Sequence, residues 1–331
     1  MIKKKILLIG TIPLPMGGVS IHVSRLADKI NASDNFQSAI LDPRKFLFRK
    51  TDGSRSNLFN AFLYFMDAEI VHIHSGGKNR LWLGRMLKSF GKKIIFTQHN
   101  SRENDLVFFN KLVDLSDATI IVCKMKGLGS SNKLKIIPAY IPAINYTNAD
   151  LKILSQIKNF SKVLLAFATH KKGSPGLYDG KDIYGFDILL SAFPKVFQLG
   201  MILVLIDVNG TMKERYSETV LKLNQAGFPV LYIDRSVELI PLFEHIYVMI
   251  RPTRSDGDSI SIREALNCGT RVIASDVTER PEGVLVYNAE SVESLISLIT
   301  TLDNHSIPKV LQNDYSDQIL TIYDSFFSIN S

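Results

Sequence analysis

The stretch RPTRSDGDSISIREALNCGTRVIASDV, from Arg251 to Val277, gathers Asp256, Asp258 and Glu264 around a serine-rich turn. Three carboxylates directly ahead of an apolar helical pattern could hold a divalent cation, accept hydrogen bonds from sugar hydroxyls, or sit in water as loop charges. Asp256 and Asp258, separated by Gly257, look like a two-carboxylate metal site. Helical register moves the weight elsewhere. Ile260 and Ser261 precede Glu264 by four and three residues, so all three share one helix face and Glu264 points toward whatever the helix N-terminus binds. The unpaired N–H groups near Ser259, Ile260 and Ser261 suit a diphosphate, because the helix dipole also favours an anion there. Backbone and dipole then supply the positive potential and no metal is needed. Glu264 accepts from vicinal hydroxyls, and Asp256 from hydroxyls beyond the phosphates. Asp258 is either a further contact tuning the donor or a cap for the helix.

Other candidates stand just after predicted strands. The first turn, GTIPLPMGGVSIHV, lacks the G-x-G-x-x-G dinucleotide fingerprint. Gly17 and Gly18 still leave bare backbone at a helix N-terminus, which is either a plain turn or a seat for an anion or close-approaching ligand. In VHIH, His72 and His74 fall on the same side of a strand. As a metal pair they lack a third ligand at matching spacing, so no metal is expected. His99, in FTQHNSREN, is either a hydrogen-bonded core histidine or a donor to a substrate oxygen. The basic residues Arg44, Lys45, Arg49 and Lys50 bracket Phe46, Leu47 and Phe48. Basic residues interleaved with aromatics suit an anionic membrane surface, or form a solvated face. No helix-turn-helix, RNA-recognition or zinc motif supports nucleic acid as the partner.

The elements that must position these residues follow a β-α-β-α rhythm. KILLIG (5–10), EIVHIH (69–74), KIIFTQH (93–99) and ATIIVC (118–123) are short apolar runs with room for helices between them. A helix over 18–30 is expected from Val19, Val23, Leu26 and Ile30. IIPAYIPAINYTNAD (136–150) breaks the rhythm as a linker. The rhythm restarts with strands over 162–169, 201–207, 229–234, 246–251, 271–276 and 283–287, and helices over 186–199, 213–226 and 259–268. A last helix over 316–329 carries Ile319, Leu320, Tyr323 and Phe326 as an apolar stripe. The rhythm reads as two doubly wound parallel sheets, each covered on both faces. In such sheets ligands sit outside the carboxyl ends of the strands, where these candidates lie.

The bulk composition agrees. The chain has 331 residues, 46% of them hydrophobic, enough for two domains with cores. A formal charge of +7 points to an anionic partner. Two cysteines in unrelated contexts form no disulfide framework, which indicates a reducing compartment. The opening MIKKKILLIGTIPLP has too short an apolar run before Thr11 and Pro13 for a signal peptide, and a first strand is expected instead. No run approaches the roughly 18 apolar residues that span a bilayer. A cytoplasmic protein, peripheral on the inner face of the cell membrane, is the expectation.

Four of these places together resemble the retaining GT-B glycosyltransferases of family 4, the glycosyltransferase group 1 type. They are the P-x-G-G-V-S-x-H-V turn from Pro15 to Val23, the VHIHS strand end at 71–75, the FTQHN strand end with His99, and the block from Arg251 to Gly283. In the last block Pro252-Thr253, Gly257, Glu264-Ala265, Gly269 and VIASD (272–276) fall in register with the family pattern. The resemblance covers nearly the whole chain. It implies two Rossmann-like domains facing a cleft, divided as 1–145 for the acceptor side and 146–310 for the nucleotide sugar, with a helix over 311–331 crossing back.

It also implies metal-independent transfer, with no cofactor, from a nucleotide sugar (UDP favoured, GDP the other choice) to a lipid-linked or surface glycan. His99, Asp256 and Glu264 would be catalytic: His99 on the donor sugar, Asp256 at the family's first glutamate, Glu264 on the ribose. Gly17, Gly18, Gly257, Asp258, Ser259, Ile260 and Ser261 would bind the donor. Asp256 is one methylene shorter than the family's glutamate. The family's G-R-x-x-x-x-K-G is absent: its lysine falls on Tyr184 and its arginine near Thr169. Lys171, Lys172, Lys181 or Arg254 would then meet the diphosphate charge. That gap keeps a non-catalytic scaffold of the same fold as an alternative, beside a nucleotide-sugar epimerase.

Overall fold

The computed structural model describes residues 3–13, 17–77, 79–99, 106–125, 127–144, 146, 148–170, 176–289, 291–305 and 310–327. The chain forms two compact units, Met1–Ala143 with Asn313–Ser331, and Ile144–Gln312.

The first unit runs β1 Lys4–Ile9, α1 Gly18–Ala32, β2 Phe36–Asp42, β3 Leu47–Arg49, β4 Arg55–Ser56, α2 Leu58–Asp67, β5 Ile70–Ile73, α3 Asn79–Ser89, β6 Lys93–Gln98, α4 Leu106–Leu115, β7 Ala118–Ile121 and β8 Leu134–Ile136. Its sheet has the order β4-β3-β2-β1-β5-β6-β7-β8. All pairings are parallel except β2 with β3 and β3 with β4. Successive side chains of a strand face opposite ways. Ile6 and Leu8 therefore pack into one buried cluster with Val23, Leu26 and Ile30 of α1. Leu7 and Ile9 pack into another with Ala61 of α2, Leu87 of α3 and Leu112 of α4. Burial on both faces explains why the strands read as continuous apolar runs.

The second unit runs α5 Leu151–Ile157, β9 Lys162–Ala168, β10 Leu177–Tyr178, β11 Lys181–Asp182, α6 Phe186–Val196, β12 Met201–Asp207, α7 Lys213–Gln225, β13 Val230–Ile233, β14 Val248–Arg251, α8 Ile260–Asn267, β15 Arg271–Ser275, β16 Val284–Tyr287 and α9 Val292–Thr300. Its sheet is parallel throughout, ordered β13-β12-β9-β14-β15-β16. This is the doubly wound nucleotide-binding order, with its switch point between β9 and β14. Leu164, Ala166 and Ala168 of β9 pack with Leu189 and Phe193 of α6 and Leu295 and Ile299 of α9.

The last helix, α10 Ser316–Ser325, belongs to the first unit. Ile319 and Tyr323 enter that unit's core, and the Tyr323 hydroxyl meets His72 Nδ1 at 2.6 Å. No helix among the described residues is long and apolar enough to cross a membrane.

Where expected elements appear, their ends differ by a few residues. β5 stops at Ile73, so His74 lies just past the strand. The helix expected over 316–329 ends at Ser325. Strand β2 has no counterpart in the sequence reading, because Gln37 and Ser38 interrupt its apolar run. Pairing along β1 makes the strand, and Asn31 Oδ1 accepts from the Ser38 N–H at 2.6 Å. The small β10–β11 hairpin was likewise not visible as a pattern.

Candidate functional site

In the first unit the candidate residues meet at the carboxyl ends of β1, β5 and β6. Gly10 ends β1, and a Cβ there would come within 2.9 Å of Val23 Cγ2 and 3.2 Å of His74 Cβ. That close approach brings α1 against the strand ends. Gly17 caps α1 in an extended conformation, its N–H donating to Ser20 Oγ at 3.0 Å. Among the described residues nothing lies within 4 Å of a Cβ built on Gly18. His22, one turn into α1, is buried and its Nδ1 lies 2.7 Å from the Ala139 carbonyl. Arg25 donates to the Ile141 carbonyl from the same helix.

Four histidines cluster beside that helix. His72 is held by Tyr323 at one ring nitrogen and by Thr97 Oγ1, 2.7 Å away, at the other. The His72 and His74 ring centroids lie 4.0 Å apart with the planes tilted by 37°, and His74 Nδ1 meets His99 Nε2 at 3.1 Å. Burial pushes His22 down to about 4, and holds His72, His74 and His99 well below the ordinary imidazole range, so all four are neutral near pH 7. His74 is a core residue, whereas His99 is half-buried.

In the second unit the turn after β14 leads into α8, at the sheet's switch point. Ser259 is the N-cap of α8, and its hydroxyl meets that of Ser261 at 3.1 Å. Among the described residues the Ser259 side chain makes no cap bond, so the first N–H groups of the helix keep their polarity for a ligand. Glu264 is buried on the same helix. Behind this turn two guanidiniums share one carboxylate. Arg251 donates to both Asp256 oxygens at 3.1 Å and Arg280 donates to one at 2.9 Å. The Gly257 N–H and the Thr253 hydroxyl also donate to Asp256. Burial alone would raise the Asp256 carboxyl; Arg251 and then Arg280 hold it down at about 2. Two cations on one anion leave this buried group with a net positive charge.

The structure thus changes several expected assignments. Asp256 stands beside α8, yet its oxygens are taken up by five protein donors; clamping a sugar hydroxyl would mean displacing one. Arg254 grips the Asp187 carboxylate through two 2.8 Å bonds and also donates to the Asp182 carbonyl, so its charge is compensated within the unit. Asp258 holds Arg263 at 2.7 Å, and Arg263 reaches Gln312, which ties the helix to the segment after α9. The N-cap position falls to Ser259 rather than Asp258. Gly257, Ile260 and Ser261 line the turn and first helical residues as expected. Lys181 is exposed on β11 with no ion pair among the described residues. Lys171 and Lys172 lie outside the described residues, as does Pro15.

Several residues were missed from sequence. His22 lies in the turn from Pro15 to Val23 that carries the family resemblance, and that motif was the signal for it; its distance along the chain from the other histidines hid the cluster. Arg251 and Arg280 were passed over because each looks like an ordinary charge beside a proline. His170, just past β9, is buried between Asp182 at 2.9 Å and Asp207 at 3.3 Å. Burial would lower that imidazole, but the two carboxylates hold it above its ordinary value. Thr169 and Tyr184, where the family pattern has arginine and lysine, bond to each other at 2.7 Å, and Arg251 lies over the Tyr184 ring at 5.1 Å.

Comparison with known proteins bears on this geometry. Residues 176–304 match the model of the family described as Glycosyl transferases group 1. No curated protein matched by sequence. Among solved structures, sucrose-phosphate synthase from Thermosynechococcus elongatus is similar with a TM-score of 0.71 at 15% identity, covering 99% of this chain and 100% of that one. HepE of Anabaena in complex with UDP-glucose is similar with a TM-score of 0.68 at 14% identity, covering 98% of each chain. A protein described as a UDP-N-acetylglucosamine 2-epimerase of Listeria monocytogenes gives 0.61 at 15% identity, covering 99% of this chain and 97% of that one.

Proposed function

We propose that the chain is a glycosyltransferase on the GT-B fold, with a group 1 glycosyl transferase domain in its second unit, and that it moves a sugar from a nucleotide sugar to a glycan or lipid-linked acceptor with retention of anomeric configuration. The observation that carries this reading is the N-terminus of α8. It stands at the carboxyl end of β14, at the switch point, with Glu264 on the helix and the net-positive Arg251–Asp256–Arg280 group behind the turn. Free N–H groups, a helix dipole and a buried surplus of positive charge suit a diphosphate without a metal.

On this reading Ser259, Ile260 and Ser261 present N–H groups to the diphosphate, and Glu264 accepts from the ribose hydroxyls. Gly257 lets the donor approach the backbone. Asp256 acts by orienting its two arginines. Lys181, with Lys171 and Lys172, supplies positive charge in place of the absent arginine and lysine pair. In the first unit, Gly17 and Gly18 offer open backbone to phosphate or acceptor, and the neutral His99 donates its N–H to a sugar hydroxyl. In transfer, the bond from the anomeric carbon to the diphosphate oxygen breaks. The acceptor oxygen bonds to the same face of that carbon, and its proton passes to the departing diphosphate. UDP is the favoured base, since HepE was solved with UDP and UDP-glucose.

A lipid-linked acceptor at the cytoplasmic membrane face is supported by helix α2. Leu58, Phe59, Phe62, Leu63 and Met66 form a stripe along it that faces solvent, with Phe59 67% exposed. Lys50, Arg55 and Lys92 lie around this region, and Lys92 sits over the Phe65 ring at 5.1 Å. Apolar side chains rimmed by cations suit an anionic lipid surface.

The test is incubation of the identified donor with and without acceptor in EDTA, read by NMR at the anomeric proton. Transfer with the donor's configuration is expected. An inverted product, or strict metal dependence, overturns the mechanism. The paired Thr169 and Tyr184 favour a second reading, a binding subunit without turnover, which predicts nucleotide binding and an unchanged donor. A changed sugar without acceptor would instead mark an epimerase.

A further inference from the structure

We infer that His22, His74 and His99 form a binding site for a transition-metal dication of the Zn²⁺ class. One ring nitrogen from each of the three lies within 4.8 Å of the other two. Nitrogens bound to zinc at about 2.0–2.1 Å in a tetrahedron stand roughly 3.3 Å apart, a contraction within reach of small side-chain rotations. The residues come from α1, the end of β5 and the end of β6, so a rigid scaffold brings them together.

Two features point to a missing partner. His22 Nε2 and His74 Nε2 are buried, and neither has a hydrogen-bond partner among the described residues. Buried polar atoms are almost always satisfied, and an imidazole lone pair left without a donor is open to a Lewis acid. His22 is also set up as a ligand from outside. Its Nδ1 donates to the Ala139 carbonyl at 2.7 Å, which fixes the tautomer with the lone pair on Nε2. That outer bond is the arrangement metal-bound imidazoles adopt. His72 is excluded as a ligand, because Tyr323 and Thr97 occupy both its nitrogens. Its ring, 4.0 Å away between centroids, instead forms a wall that limits rotation of His74. His99 is half-buried, so the fourth coordination position opens on its side toward solvent. Three imidazoles with an open position suit Zn²⁺, Co²⁺, Ni²⁺ or Cu²⁺ rather than Mg²⁺ or Ca²⁺, which favour oxygen ligands.

The inference shares His99 with the glycosyltransferase reading but does not rest on it and needs no donor. The test uses the full chain, free of any affinity tag and stripped with EDTA, titrated with Co²⁺ and then competed with Zn²⁺. One Co²⁺ per chain is expected, with the visible absorption of a low-symmetry nitrogen site that zinc abolishes. His22→Gln and His74→Gln should each weaken binding at least a hundredfold, while His245→Gln and His305→Gln, outside the cluster, leave it unchanged. Should the buried variants fail to fold, His99→Gln decides, since its site is half-buried and a melting curve checks its fold. Absence of the cobalt spectrum, or its survival in His99→Gln with a wild-type melting curve, overturns the inference.

Discussion

Asp256 shows how neighbours reassign a carboxylate that sequence alone presents as a ligand. Its two guanidinium partners are buried with it. Replacing it by asparagine leaves Arg251 and Arg280 facing each other without their anion. Breaking a buried pair in this way costs about 3–5 kcal/mol, so Asp256→Asn should lower the denaturant midpoint of the second unit markedly. The pH dependence has a definite sign. The carboxyl is held at about 2 in the folded chain, against about 3.9 when unfolded. Its stabilisation is present in full above pH 4 and is lost as the pH falls through 2, roughly 2–3 kcal/mol in all. A wild-type protein whose second unit is no less stable at pH 2.5 than at pH 5 would contradict that pairing. Glu264 lies on the ligand side of the same turn. Glu264→Gln should keep the fold, measured by circular dichroism, and weaken nucleotide binding at least tenfold.

At the scale of elements, the turn into α6 depends on a glycine. Gly185 has φ +72°, and a Cβ there would stand 2.0 Å from the Pro252 carbonyl oxygen. Gly185→Ala should therefore destabilise the second unit by about 3 kcal/mol or more, because both the left-handed conformation and the backbone collision oppose it. A midpoint unchanged from wild type would show that Pro252 moves freely. The element pattern was largely legible because most strands are buried on both faces and read as apolar runs. Strand β2 and the hairpin β10–β11 were not, since their pairing depends on partners elsewhere in the chain. The helix that follows the carboxylate turn was legible, and its register put Ile260, Ser261 and Glu264 on one face. Its arginines were not, because nothing in a linear sequence shows that Arg280 folds back onto Asp256. His22 stood in a quoted motif, but its place in the histidine cluster was hidden for the same reason: its neighbours in space come from the ends of distant strands.

At the scale of the whole molecule, charge and exposed apolar surface come together in the first unit. The formal charge is +7, and helix α2 turns five large apolar side chains to solvent. The protein should sediment with vesicles containing anionic lipid and less so with neutral ones, and the difference should shrink as salt is raised. Phe59→Glu with Phe62→Glu should reduce vesicle binding at least tenfold without changing the melting temperature by more than a few degrees. Equal binding by wild type and double variant would remove α2 from the lipid surface. The central claim concerns the other unit, where α8 meets a nucleotide diphosphate. It is tested most directly by calorimetric titration of UDP, GDP and their sugars, in EDTA, into wild type and Glu264→Gln. The account predicts saturable one-to-one binding of one nucleotide class to the wild type, weakened at least tenfold by the substitution. Wild-type protein that binds none of them, or binds only when a divalent metal is restored, would contradict it.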